Sequence, residues 1–223
     1  MRISIRTVSL SVICFCMAGA GAVVLADQAG PIRLACVGDS ITAGAGTMNR
    51  ETQSYPAQLG RMLGEKWHVD NFGVGGATLL KHGDKPYWNL PAFTNALASD
   101  PHVVVIMLGT NDSKPRNWRF KDEFVADYKD LIAQFEKLPS KPVVFVCRPP
   151  YVSGTNAFGI SNDGVASEIP MIDVAAKQTG AIIIDNYMVF VRSPALLPDH
   201  VHPNEEGAAA LARSVYLAVR ETK

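Results

Sequence analysis

The sequence lacks several features that would point to common classes of binding protein. Its 21 lysines and arginines balance its 21 aspartates and glutamates over 223 residues, with no basic patch and no polybasic run. This balance argues against a nucleic-acid partner and against an acidic lipid surface. Low-complexity segments and internal repeats are also missing, and the length suits a single domain with a sizeable core.

Long apolar runs are scarce, and the one that stands out is at the beginning of the chain. Arg2 and Arg6 form a short basic region, and residues 8–25 are apolar and small. This pattern is typical of a secretory signal peptide over residues 1–26. An uncleaved membrane anchor is the alternative, because a span needs about 20 apolar residues, but glycines weaken that interpretation. We therefore expect a domain over 27–223 that is secreted or periplasmic and has no membrane contact after cleavage.

Cysteine is rare, with four in the chain, two of them in the predicted signal. Cys36 and Cys147 remain, and each ends an apolar run of strand length. In an exported protein this pair could form a disulfide. The topology derived below puts one strand between them, so their Cα atoms would lie roughly 9 to 10 Å apart, beyond the ~7 Å limit for a bridge. The sequence therefore predicts two buried free thiols.

Strand-like and helix-like segments alternate along the rest of the chain. Several of the apolar runs are nearly continuous Val, Ile and Leu, as in strands that are covered on both faces. The predicted strands are Ile32–Val37, Trp67–Phe72, Val103–Leu108, Val143–Cys147 and Ala181–Ile184. The predicted helices are Ser54–Leu63, Phe120–Leu138, Asp163–Thr179 (bent or broken at Pro170) and Glu205–Val219. This order predicts a three-layer α/β/α sandwich with a flavodoxin-like parallel sheet of five strands in the order 2-1-3-4-5.

In such sheets ligands bind beyond the carboxyl ends of the strands, so the residues that follow each strand are candidates for the site. Ser40 follows the first strand, although a serine there can also be a simple helix N-cap. Glycines of "NFGVGGATLL" follow the second strand and expose backbone N–H groups. They could cradle a phosphate, as in a flavodoxin-type nucleotide binder, but the spacing of a G-x-G-x-x-G motif or a P-loop is missing. Asn111 follows the third strand, with its amide free to face the crevice.

The segment "LPDHVHPNEEG" near the end of the chain supplies a His–Asp pair. The spacing of Asp199 and His202 lets the carboxylate bind one imidazole nitrogen and leaves the other free. Metal binding by Asp199, His200 and His202 is the alternative, but zinc usually needs three or four tetrahedral protein ligands. We predict neither a metal nor a cofactor.

Together these residues form the set that acyl transfer requires. We expect Ser40 to be the nucleophile, His202 to take and return its proton, and Asp199 to orient the imidazole. The N–H groups of Ser40 and Gly76 and the side-chain amide of Asn111 would hold the oxyanion.

The motifs resemble those of the SGNH (GDSL) hydrolase family. Its four blocks correspond in order to "GDSITAG", "NFGVGGAT", "GTND" and "DHVHPN". The resemblance places the family's serine, glycine, asparagine and histidine on Ser40, Gly76, Asn111 and His202. It implies a flavodoxin-like fold, unlike that of α/β-hydrolases, whose G-x-S-x-G motif is missing here. Gly75 stands where many relatives have serine, which leaves the choice between the adjacent glycines open at this stage, although the order of the block favours Gly76.

Loop segments such as "GTNDSKPRNW" are similar to those of secreted bacterial sialate or xylan O-acetylesterases, which implies an acetylated glycan substrate. Trp88 and Trp118 are candidates to bind sugar rings, unless they only pack the loops. Lys114 and Arg148 are candidates to contact an acidic sugar. A lipase, lysophospholipase or thioesterase of the same family is the alternative within the class, and a glycan-binding module without activity is the alternative outside it. The partner is then a small-molecule or polysaccharide ester.

Overall fold

The computed structural model describes residues 30–221, and its centre is a five-stranded parallel sheet. The strands are β1 (Ile32–Gly38), β2 (Trp67–Gly73), β3 (Val103–Met107), β4 (Val143–Arg148) and β5 (Ile182–Asp185). Their order in the sheet is β2-β1-β3-β4-β5, with every neighbouring pair parallel. The predicted order is confirmed, and each strand agrees with its predicted bounds to within one residue.

Helices cover both faces of this sheet. In the described part of the chain the α-helices are α1 (Ser40–Ala43), α2 (Arg50–Gln53), α3 (Tyr55–Leu63), α4 (Pro91–Ala98), α5 (Pro115–Trp118), α6 (Phe124–Glu136), α7 (Asn162–Thr179), α8 (Tyr187–Val191) and α9 (Glu205–Glu221). Short 3₁₀ turns occur at Tyr87–Asn89, Lys121–Glu123 and Pro194–Leu196. Buried side chains of α3 and α9 pack on one face, and those of α4, α6 and α7 pack on the other. The three-layer α/β/α prediction is therefore confirmed.

Alternate side chains of each strand enter the two cores. Val105 points to the α3/α9 core, whereas Val104 and Ile106 belong to the α4/α6/α7 core. All five residues of β3 are buried, which explains why this central strand is a continuous apolar run. Cys36 and Cys147 are both buried and free, with β3 between their strands, as predicted.

The short helices α2, α5 and α8 were not predicted, and two longer helices also differ from expectation. Helix α7 runs unbroken through Pro170, which cannot donate the usual backbone hydrogen bond. The exposed proline ring is tolerated because Val165 and Ile172 bury the same helix against the protein on either side of it. Helix α4 was not predicted, since its eight residues show little polar and apolar alternation.

The predicted signal peptide and the start of the domain at residue 27 lie outside the described residues. Within residues 30–221, no helix has both the length and the apolar character needed to cross a membrane.

Candidate active site

Ser40 is the first residue of α1, directly beyond the carboxyl end of β1. The cap of this helix is Asp39, whose Oδ1 accepts a hydrogen bond from the N–H of Ile41 at 2.9 Å. Ser40 is therefore not the N-cap, which removes the simple structural explanation for a serine at this position. Gly38 is required just before it, because a Cβ there would lie 2.1 Å from Thr42 Oγ1 and 2.7 Å from the Met107 carbonyl oxygen.

The distant His202 meets this serine. Ser40 Oγ lies 2.9 Å from His202 Nε2, across 162 positions of sequence. Asp199 Oδ2 lies 2.7 Å from His202 Nδ1, so the imidazole is held between a hydroxyl and a carboxylate. In this arrangement the imidazole can accept the hydroxyl proton while the carboxylate orients the ring.

Asp199 is held by its own local turn. Its Oδ1 accepts hydrogen bonds from the backbone N–H groups of Val201, at 3.0 Å, and His202, at 2.6 Å. Partial burial opposes ionisation, but the hydrogen bonds from the His202 N–H and ring and from the Val201 N–H outweigh it and lower the pKa of Asp199. The carboxylate is therefore charged at neutral pH and can stabilise a protonated imidazole.

A second serine–histidine contact gives a useful internal comparison. Ser153 Oγ lies 3.0 Å from His200 Nδ1, but the pair is exposed. The structure gives His200 no carboxylate contact among residues 30–221, whereas His202 has Asp199. Burial and the carboxylate therefore distinguish the Ser40–His202 pair.

Asn111 and the glycines after β2 are the remaining candidate residues. Asn111 lies in the turn after β3, and its Nδ2 is 3.2 Å from the Ala77 carbonyl oxygen. Gly76 has φ of 79°, a conformation that favours glycine, while Gly75 does not. A Cβ on Gly75 would be 3.9 Å from Ser40 Cβ, in ordinary contact, so a side chain fits there. The two glycines therefore differ in backbone conformation, and the assignment of Gly76 as the oxyanion donor stays a prediction.

Asp112 joins the turns after β2 and β3, a contact that the sequence analysis missed. Instead of capping its own turn, it accepts hydrogen bonds from the N–H groups of Leu79, at 3.0 Å, and Leu80, at 2.7 Å. Burial raises the pKa of Asp112 to about 7, although both hydrogen bonds act in the opposite direction. Burial likewise raises the pKa of Asp39 to about 6.

The aromatic candidates pack into the loops. Trp88 donates through Nε1 to the Leu79 carbonyl oxygen at 2.8 Å, and Trp118 makes an edge contact with Phe124. Both are only partly buried. The aromatic ring that does lie against the site is Phe158, whose centroid is 4.9 Å from that of His202 in an edge-to-face contact.

The cationic candidates are both occupied. Arg148 binds Asp173 through two nitrogens and Asp185 through a third, so its guanidinium is neutralised by protein carboxylates. Lys114 Nζ lies 2.8 Å from Asn111 Oδ1. Within residues 30–221 no cluster of three or more His, Cys, Asp or Glu side chains is arranged to hold a metal ion.

Comparison with known proteins identifies the family of the chain. Residues 36–210 match the GDSL-like lipase/acylhydrolase family. The chain belongs to that family. The family predicted from the sequence motifs is confirmed.

Individual relatives of this acylhydrolase are carbohydrate esterases. An acetylxylan esterase of Xylanibacter ruminicola is 38% identical over 208 residues, covering 85% of this chain. The match covers 43% of that relative, so this chain spans less than half of its length. Est24, a carbohydrate acetylesterase from Sinorhizobium meliloti, has a TM-score of 0.68 at 20% identity, covering 86% of this chain and 99% of that one. A catalytic mutant of Axe2, an acetylxylan esterase from Geobacillus stearothermophilus, has a TM-score of 0.65 at 23% identity, covering 86% and 95%. The two solved structures share the fold.

Proposed function

We propose that this acylhydrolase is a serine esterase that removes O-acetyl groups from carbohydrates. The observation that carries the proposal is the contact of Ser40 Oγ with His202 Nε2 at 2.9 Å, with Asp199 bound to the other ring nitrogen. Such a set activates a hydroxyl that is otherwise a weak nucleophile. No metal and no cofactor take part in the proposed reaction.

In the proposed mechanism Ser40 Oγ attacks the acetyl carbonyl carbon and gives its proton to His202 Nε2. The tetrahedral oxyanion accepts hydrogen bonds from the N–H groups of Ser40 and Gly76 and from Asn111 Nδ2. Its collapse breaks the bond to the sugar oxygen, which leaves with the proton from His202. Water, activated by His202, then attacks the acetyl-serine, and acetate and free Ser40 are released.

The preference for a glycan is supported by a cleft at the loop after β4 and by the acetylxylan esterase relative. A cleft of ≈ 530 Å³ lies between Pro115 and the loop after β4, with Tyr151, Asn156 and Asp163 in its lining. Aromatic, amide and carboxylate groups suit the faces and hydroxyls of sugars. The same loop carries Phe158, whose ring contacts that of His202, although neither residue lines the cleft.

The test is hydrolysis by the Ser40→Ala variant. We expect p-nitrophenyl acetate hydrolysis to fall by at least ~10⁴-fold, as when the nucleophile of a triad is removed, while the melting temperature is kept. Ser153→Ala is the matched control, because it removes the exposed serine of the second Ser–His contact, and it should keep this activity. Full activity in Ser40→Ala would reject the mechanism.

Substrate choice is tested separately on the wild-type protein. Acetate release from acetylated xylan, and a rate that falls from acetyl to octanoyl esters, would support the acetylesterase. A rate that rises with chain length would indicate a lipase or thioesterase. Binding of acetylated xylan without release of acetate would indicate a glycan-binding module instead.

A further inference from the structure

Lys114 has an unusual position for a surface cation. It is half-buried, and its Nζ donates to Asn111 Oδ1 at 2.8 Å. It immediately precedes helix α5, three residues after Asn111, so a short turn carries both ends of the contact. A lysine that bound an acidic sugar would have a free ammonium, whereas this one is directed at the protein's own amide.

The opposite side of the Asn111 amide faces two oxygens. Asn111 Nδ2 lies 3.2 Å from the carbonyl oxygen of Ala77 and 3.4 Å from Asp39 Oδ2. If the amide were rotated by 180°, Oδ1 would face these two acceptors and Nδ2 would face the ammonium of Lys114. Both contacts would be unfavourable, since an ammonium has only donors. Lys114 and the two oxygens together therefore select one orientation of the amide.

The backbone of Asn111 is anchored independently. Its carbonyl oxygen accepts a hydrogen bond from Nδ2 of the buried Asn117 at 2.8 Å. Asn117 is held in turn by Asp84, whose N–H donates to Asn117 Oδ1 at 2.9 Å. With the main chain fixed, the remaining freedom of Asn111 lies in its side chain, which is the part that Lys114 contacts.

We propose that Lys114 is a positioning residue for ester hydrolysis, acting through Asn111. Its ammonium fixes the side-chain amide and withdraws electron density from Oδ1, so that both Nδ2–H groups are stronger donors. One N–H keeps the Ala77 carbonyl oxygen, and the other exchanges its long 3.4 Å contact with Asp39 Oδ2 for the oxyanion. Hydrogen bonds to an ionised group are stronger than neutral ones, which gives the contact its effect. The inference rests on the proposed function, in which Asn111 Nδ2 binds the oxyanion.

Charged neighbours determine how this contact depends on pH. Burial lowers the pKa of Lys114, and Arg116 lowers it further, whereas Asp84, Asp39 and Asp112 raise it; the net pKa is below the ordinary value. The ammonium is the active form, so this part of the activity is lost as the pH rises through the Lys114 pKa.

The experiment compares Lys114→Met and Lys114→Arg with Lys66→Met, which removes an exposed lysine that precedes β2 at the other end of the sheet. We expect Lys114→Met to lower kcat about tenfold on both p-nitrophenyl acetate and acetylated xylan, a smaller loss than deletion of an oxyanion donor. KM should stay within about twofold, because the interaction acts in the transition state. Lys114→Arg should restore most of kcat and abolish the alkaline loss, since a guanidinium stays charged.

A double-mutant cycle with Asn111→Ala separates positioning from independent effects. Lys114→Met should cost little more in the Asn111→Ala background, because its partner is already gone. An equal tenfold loss in both backgrounds would overturn the proposal. A rise in KM confined to acetylated xylan would overturn it too, in favour of a sugar contact.

A spectroscopic measurement keeps this test separate from the proposed function. Lys114→Met should move the side-chain amide resonances of Asn111 in a ¹⁵N–¹H spectrum, and Lys66→Met should not. Unmoved resonances would overturn the positioning role even in an active enzyme. If the wild-type protein hydrolyses no ester, the proposed function fails, and with it the catalytic part of this inference, whatever the resonances do.

Discussion

Ser40 and His202 are in contact, but the two segments that carry them are held in different ways. The strand-held segment, residues 32–43, consists of β1, the cap residue Asp39 and helix α1. The last five residues of β1 are buried, and Asp39 is 1% exposed. The loop-held segment, residues 197–204, has no helix or strand and includes His200 with φ of 71°. The Asp199 side chain there is 40% exposed.

We therefore expect substitutions in one segment to lower the stability of the fold and substitutions in the other to lower the activity. Changes in the strand-held segment disturb the packing of the sheet and its first helix, because backbone and side chains there fill the core. Changes at exposed positions of the loop-held segment alter the hydrogen bonds of the imidazole and leave the core intact. Substitutions in the strand-held segment should therefore be detected by urea unfolding, and substitutions in the loop-held segment by ester hydrolysis.

The largest effect is expected from Asp199→Asn in the loop-held segment. Asparagine keeps an oxygen for the local turn but presents an amide that can donate to His202 Nδ1, which favours the wrong tautomer. We expect kcat on p-nitrophenyl acetate to fall by ~10³ to 10⁴-fold. The free energy of unfolding in urea should change by less than about 1 kcal/mol. The exposed Asp122→Asn is the matched control. Activity within tenfold of wild type would mean that another acceptor orients the ring.

A smaller effect, of the opposite kind, is expected from Gly38→Ala in the strand-held segment. The new Cβ would lie 2.1 Å from Thr42 Oγ1 and 2.7 Å from a backbone oxygen that has little freedom to move. We expect the free energy of unfolding, measured in urea, to fall by about 3 kcal/mol.

Gly159→Ala is the comparison for Gly38→Ala, in the loop after β4. Gly159 has φ of 69° and no atom within 4 Å of the added Cβ, so strain alone should cost about 1 kcal/mol. Equal losses of stability in the two variants would remove the distinction between the packed strand-held segment and an open loop.

The strand-held half of the site was largely predictable from the sequence. A buried strand that ends in glycine, followed by a polar residue, places Ser40 at the carboxyl edge, and parallel order then brings Asn111 beside it. The His–Asp pair was predictable from its three-residue spacing. Its place against Ser40 was inferred from its position beyond the fifth strand, at the same edge of the sheet, because no local pattern fixes how residues 197–204 fold over the sheet.

Contacts between loops could not be predicted in the same way. The pairing of Asp112 with the N–H groups of Leu79 and Leu80 joins two turns that are 32 and 33 positions apart in sequence. Arg148 looked like a free cation because its partners, Asp173 and Asp185, follow it by 25 and 37 positions. Such contacts depend on how helices and loops settle on the sheet, which hydrophobic periodicity does not determine.

The smallest effect concerns how the stability of the fold depends on pH, which has opposite signs for Glu168 and for Asp199. Glu168 of α7 is fully buried, and neither carboxyl oxygen has a hydrogen-bond partner among the described residues. Its Oε2 would lie 2.3 Å from a Cβ on Gly109, in the turn that leads to Asn111. Burial raises the pKa of Glu168 well above its ordinary value of 4.5, with Asp112 and Asp39 adding to the shift.

A buried acid with a raised pKa stabilises the fold less as the pH rises, because the unfolded chain releases the proton first. Asp199, whose pKa is lowered, has the opposite sign and loses its contribution as the pH falls. Glu168→Gln should therefore flatten the decline in stability between about pH 5 and about pH 8, by about 1 kcal/mol, and make the variant relatively more stable at the higher pH. The change in stability is measured from the urea midpoints of the wild type and Glu168→Gln at both pH values. The exposed Glu206→Gln is the control. An unchanged slope in Glu168→Gln would mean that Glu168 ionises in the folded protein as easily as in the unfolded chain, and that the buried acids around Asn111 are better solvated than their contacts indicate.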